Sequence, residues 1–170
     1  MPGAGKTSLA RALGERLALP VIEKDALKET LYETLGVADI EWSQRLGTAT
    51  YGLMFTIARA VLAAGGSLVL EANFFRGNDE ARFAELPPHR AVQVHCHARL
   101  DVLVARYESR IGTRHPGHHD ADRVPELRAR YESGVNGPLD IPGELLELDT
   151  TTASVEELAE TAVARVRFRA

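Results

Sequence analysis

The chain has 170 residues, 45% hydrophobic and 26% charged, the balance of a globular fold with length enough for a sizeable core. Its net charge of −4 speaks against a nucleic-acid surface or a basic membrane patch. A single cysteine, Cys96, excludes an internal disulfide, and no apolar run approaches the roughly 18 residues of a membrane span, so a cytoplasmic setting is expected.

The N-terminal run Met1-Pro2-Gly3-Ala4-Gly5-Lys6-Thr7-Ser8 carries the end of the phosphate-binding pattern G-x-x-x-x-G-K-[ST]. Its glycines let successive backbone N–H groups converge on phosphate oxygens, and the following helix points its positive end at the same anion. Gly3, Ala4, Gly5, Lys6, Thr7 and Ser8 are therefore the expected nucleotide contacts. Lys6 would reach the outer phosphates, and the Thr7 hydroxyl would ligate Mg²⁺. The first glycine of the pattern would fall one residue before Met1. The reading therefore expects Met1 to be internal, preceded by an apolar strand starting about ten residues earlier.

Leu9, Ala12, Leu13 and Leu17 keep one apolar face and predict a helix over 6–18. The run Leu19 to Ile22, followed by Glu23-Lys24-Asp25, predicts a buried parallel strand with acids at its carboxyl end. There Asp25 would face the outer phosphate, where a carboxylate can orient an alcohol and accept its proton. Glu23 would share its strand face and assist a metal, and Asp25 could also cap the next helix. Helices are expected over 26–35 and 40–64, the second continuous or jointed at Gly47 and Gly52, and closed by Gly65-Gly66.

A second strand, Ser67 to Leu70, runs into Glu71-Ala72-Asn73, where a terminal acid would hold Mg²⁺ with Thr7. A short helix over 79–85, a strand over 91–98, a helix over 100–112 and a histidine-rich loop over 113–122 follow. The order closes with a helix over 123–133, a strand over 144–148 and a helix opened by the capping box of Ser154 and Glu157. Arg106, Arg110 and Arg114 recur every four residues and suit a transferring phosphoryl group. Arg110 and Arg114 take catalytic roles, Arg106 and Arg110 nucleotide contacts, and Thr150 a contact in the loop after the last strand. The histidines at 115, 118 and 119 and the His95-Cys96-His97 run are not read as metal sites. One lies in a short Pro/Gly loop, and neighbours in the other point to opposite strand faces.

This alternation predicts an α/β fold of three layers, a parallel sheet with helices on both faces, with ligands outside the strands' carboxyl ends. One domain is expected over 1–170, with a lid over roughly 106–123.

Nearly the whole chain resembles the small P-loop kinases grouped with predicted kinases and AAA-type ATP-binding proteins, relatives of shikimate kinase, gluconate kinase, chloramphenicol phosphotransferase and the zeta-toxin kinases. The resemblance rests on Pro2 to Ser8, the Asp25 segment, Leu70-Glu71-Ala72-Asn73-Phe74, and Arg106, Arg110 and Arg114 through His118. It implies a P-loop NTPase fold, ATP and Mg²⁺ as cofactors, a lid that closes over ATP, and a base or metal organiser at Asp25. Many relatives carry aspartate where Glu71 stands. By analogy, 26–64 and 73–78 build the acceptor site, with Asp25, Lys28, Arg45, Asn73 and Arg76 as its contacts. The expected function is transfer of the γ-phosphate of ATP to a hydroxyl of a small molecule. A nucleotide, nucleotide-sugar or polynucleotide-end kinase is one alternative, revealed by competition with oligonucleotides. A non-catalytic ATP-binding sensor is the other, and it would lose nothing on replacement of Asp25.

Overall fold

A computed structural model describes residues 1–120 and 124–167. Helix α1 (Lys6–Leu17) follows Gly5 directly and ends at Ala18, which turns the chain at φ 53°. Strand β1 (Val21–Glu23) passes into α2 (Lys24–Leu35) with no residue between them. Two expectations are corrected here. Asp25 lies in the first turn of α2 rather than at a strand end, and the capping position is Glu23, whose side chain makes no capping bond. Glu23 instead accepts two hydrogen bonds from the Arg11 guanidinium, at 2.6 and 2.7 Å.

Helix α3 (Ile40–Ala63) runs unbroken through Gly47 and Gly52. Asp39 caps it by accepting from the Trp42 amide at 2.8 Å, and Gly65 turns out of it at φ 74°. Next come β2 (Val69–Glu71), α4 (Glu80–Ala84), β3 (Val92–His97) and α5 (Leu100–Ser109). Because α5 stops before the expected Gly112, Arg110 caps its C-terminus. Helix α6 (Val124–Ser133), β4 (Glu144–Asp149) and α7 (Val155–Arg167) complete the order. The expected lid boundary and helix start at 121–123 lie outside the described residues. The capping box is present: the Ser154 amide donates to Glu157 at 2.9 Å, and the Glu157 amide to the Ser154 hydroxyl at 3.2 Å.

The strands form two parallel ribbons. Val21 to Glu23 lie opposite Val69 to Glu71, and Val92 to His97 opposite Glu144 to Asp149. Among the described residues no strand joins β2 to β3. Side chains join them instead: Met1, Val69 and Val94 pack on one cluster built around Leu9, Leu13, Leu103, Leu148 and Ala159. A second cluster sets Met54, Phe55 and Ala58 of α3 against Ile22, Leu70, Phe74 and Phe83. Each large apolar side chain fully buried contributes about 1.5–3 kcal/mol. Contrary to the expectation, α3 is long and apolar enough to cross a membrane by length and composition. Its face bearing Met54, Phe55 and Ala58 is the one that packs into this second cluster.

Candidate active site

The loop before α1 has the conformation its glycines suit. Gly3 and Gly5 take φ 78° and 72°, and no side chain caps the first turn of α1. A Cβ on Gly3 would stand 2.8 Å from the Leu103 carbonyl oxygen, whereas one on Gly5 would meet nothing nearer than the Thr150 side chain at 4.0 Å. The loop is thus pressed onto α5 on one side and open on the other, beside uncapped helix amides that suit an anion. Ala4 is fully buried in the core and Ser8 is exposed, so the Ala4 side chain serves packing.

Lys6 folds back over the loop and donates to the Met1 carbonyl at 2.7 Å. Burial pushes its ammonium down from the usual range, and Glu71 opposes that shift. Glu71 ends β2 and is itself buried. Burial raises its carboxyl, while Lys6 and the Thr7 hydroxyl hold it down. The buried Glu71 carboxylate and the Thr7 hydroxyl beside it are oxygen donors that fit Mg²⁺, which needs only one or two protein ligands when phosphates supply others.

Next to the loop is a cavity of about 340 Å³ whose wall includes Pro2. Of the expected residues, Asp25, Lys28, Asn73, Arg110 and Arg114 line it. Arg45 and Arg76 do not: both are exposed, Arg45 over the Trp42 ring and Arg76 in the loop before α4. Analogy and positive charge drew attention to them, but neither says which way a side chain turns. The sequence reading missed Lys24, Ser43, Arg82, Asp120 and Arg130, which also line the cavity. Lys24 and Asp120 adjoin motifs it did single out; for Arg82 and Arg130 there was no local signal. The Asn73 side-chain oxygen is buried and has no hydrogen-bond partner among the described residues.

Arg114 donates to Asp25 at 2.6 Å and to Asp120 at 3.0 Å, and Lys24 lies 3.3 Å from Asp25. Burial would raise the Asp25 carboxyl, but Lys24 and Arg114 outweigh it and hold the group at about 2. Asp120 also accepts from the Tyr107 hydroxyl at 3.0 Å and stands 3.8 Å from Arg110, whose guanidinium lies 4.5 Å from the Tyr107 ring centroid. Arg106 turns elsewhere. It donates to the Thr150 carbonyl at 2.7 Å and hydroxyl at 3.2 Å, tying α5 to the loop after β4.

The histidine segment docks on the far wall of the cavity. The Tyr32 and Ser43 hydroxyls both donate to the Gly117 carbonyl, and His115 stacks on Tyr32 with ring centroids 5.0 Å apart. His118 bonds Glu29 at 2.7 Å. A Cβ on Gly117 would fall 2.7 to 2.8 Å from the Tyr32 ring. Gly117→Ala is therefore expected to destabilise the protein by about 1–3 kcal/mol, a fall in Tm of roughly 2–12 °C at this size. An unchanged melting curve would mean that this segment is not held against Tyr32.

The family model described as AAA domain (AAA_33) matches residues 1–133. The chain belongs to that family. This AAA-domain protein is 31% identical over 169 residues to a shikimate kinase of Ruegeria pomeroyi, covering 99% of this chain and 83% of that protein. It is similar to the crystal structure of a "putative kinase" from Chloroflexus aurantiacus, at 36% identity and a TM-score of 0.84 over 96% of this chain and 92% of the other. A sugar kinase from Janibacter sp. has the same fold, at 19% identity and a TM-score of 0.65 over 95% of this chain and 87% of that one. This AAA-domain protein has the α/β P-loop NTPase fold and is kinase-like.

Proposed function

We propose that this AAA-domain protein transfers the γ-phosphoryl group of ATP to a hydroxyl of a small molecule. The observation that carries this reading is the adjacency of two half-sites. One is the phosphate loop with Lys6, Thr7 and Glu71; the other is the cavity holding Asp25, Arg110 and Arg114. When bound, ATP supplies the phosphoryl group and Mg²⁺ neutralises its charge. The loop amides of Gly3 to Lys6 and the Lys6 ammonium would hold the phosphates, with Thr7 and Glu71 toward the metal.

Asp25 orients the acceptor hydroxyl and takes its proton as the oxygen bonds to phosphorus and ADP leaves. A carboxyl held at about 2 is a weak base. It suits a loose transition state, in which the attacking oxygen loses its proton late. Arg114 adds a coupling. As its guanidinium turns from Asp25 to the charge growing on the phosphoryl oxygens, Asp25 loses a cation and becomes more basic. On this reading residues 1–170 form one kinase domain, and within the expected lid of roughly 106–123 the part that carries Arg110 and Arg114 moves, with Arg106 as its anchor.

The test is ADP release measured against a panel of hydroxylated small molecules, with and without the Asp25→Ala change. The reading fails if no acceptor raises turnover above that of ATP alone and the variant behaves as the parent. Binding of a non-hydrolysable ATP analogue in that case would leave a nucleotide-binding partner protein as the description.

A further inference from the structure

The geometry points to an acceptor that carries an anionic group, a carboxylate or a phosphate, seated on Lys28 while its hydroxyl meets Asp25. This rests on the phosphotransferase reading and specifies its substrate class. Lys28 is only 3% exposed yet lines the cavity. Its ammonium donates to the Ser43 hydroxyl at 2.8 Å and lies 5.2 Å from the Tyr32 ring centroid. Directly above it α3 passes with Gly47, which also lines the cavity. A Cβ there would come within 3.8 Å of the ammonium, so any larger side chain would fill the space over it. A glycine in mid-helix weakens the helix; here position 47 puts no side chain against the ammonium.

The neighbours favour the same charge. Lys24, Lys28, Arg82, Arg110, Arg114 and Arg130 line the cavity against the carboxylates Asp25, Asp79, Asp120 and Glu126, six cations to four anions among the described residues. Arg110 and Arg114 serve the phosphoryl group on the reading above. Of the remainder, Lys24 and Arg82 both lie 5.9 Å from the Tyr51 ring centroid, each beside a carboxylate, Asp25 at 3.3 Å and Asp79 at 3.5 Å, so neither adds a surplus cation to that side. Asp25 and Lys28 stand three residues apart on α2 and share a face. Their Cβ atoms are then about 5–6 Å apart, close enough for one small molecule to meet both side chains. A small hydroxy acid, a sugar acid or a sugar phosphate carries the two groups this needs.

The experiment measures ADP release by the full chain with matched acceptors: hydroxy acids and sugar acids beside their amides or methyl esters, and sugar phosphates beside the neutral sugars. The anionic member of a pair is expected to be the better substrate by about tenfold or more in kcat/KM. Carboxylates outperforming phosphates, or the reverse, identifies the group. Lys28→Met is expected to raise KM for the anionic acceptor about tenfold with a much smaller change in kcat, and Lys28→Arg to restore part of it. Gly47→Leu, which replaces a glycine by a better helix former, is expected to raise the same KM without lowering Tm. Affinity for an ATP analogue should stay within a few-fold in all three. Neutral acceptors serving equally well in the parent protein, which requires no variant to fold, overturn the inference while leaving the kinase reading intact. Absence of stimulation by every acceptor, charged or neutral, removes both.

Discussion

Lys6→Met is expected to lower phosphoryl transfer by about 10²–10³-fold, the usual loss when one group aimed at developing charge is removed. Two effects act together. The ammonium that would meet the outer phosphates is gone, and Glu71 loses the cation that holds its buried carboxyl down. Glu71 should then sit higher still and be a poorer partner for Mg²⁺ at neutral pH. The change also deletes the bond to the Met1 carbonyl, which anchors the front of the loop. Steady-state kinetics across Mg²⁺ concentrations, with a thermal melt as a check on folding, measure it. Parent-like turnover in a folded variant would remove Lys6 from the site.

Asp25→Asn is expected to reduce kcat by about 10²–10⁴-fold, the range for loss of a positioned acid–base group. Affinity for an ATP analogue should change little, since Asp25 belongs to the cavity rather than the loop. The pH dependence gives a second reading of the same group. Lys24 and Arg114 depress the Asp25 carboxyl to about 2. A depressed carboxylate adds stability above its unfolded value and loses it as pH falls through the folded one, here from near 4 down to about 2. Arg114→Gln removes one of the two cations, so Asp25 must titrate higher. The acidic limb of kcat/KM should therefore move to higher pH, and acid unfolding should begin earlier. A limb that stays in place would mean that Asp25 is not the titrating group.

Much of this was written locally in the chain. The glycine spacing, Lys6 and Thr7 declared an anion cradle, and the loop has the left-handed glycines that such a cradle uses. Ser154 and Glu157 announced a helix start and make the expected bonds. The β1–α2 junction was harder, because neither glycine nor proline marks it, and a helix start two residues earlier than expected moves Asp25 from strand end to helix. The cavity wall was the least legible. The pentapeptide Ala-Arg-Tyr-Glu-Ser occurs at 105–109 and again at 129–133, and each copy ends a helix with serine bonded back to the arginine carbonyl. Yet Arg106 turns to Thr150 while Arg130 lines the cavity beside Glu126. Identical local sequence fixes the same helix end, and tertiary packing alone decides which arginine reaches the site.

Asp120 serves as shared counter-ion to Arg110 and Arg114. If those arginines stabilise the transferring group, they need not wait unpaired between turnovers. Asp25 and Asp120 stand ready to reclaim them once the phosphorylated product forms, and so compete with it for the same cations. The contact that restrains the arginines before the reaction would thereby hasten product departure and reset the site for the next cycle.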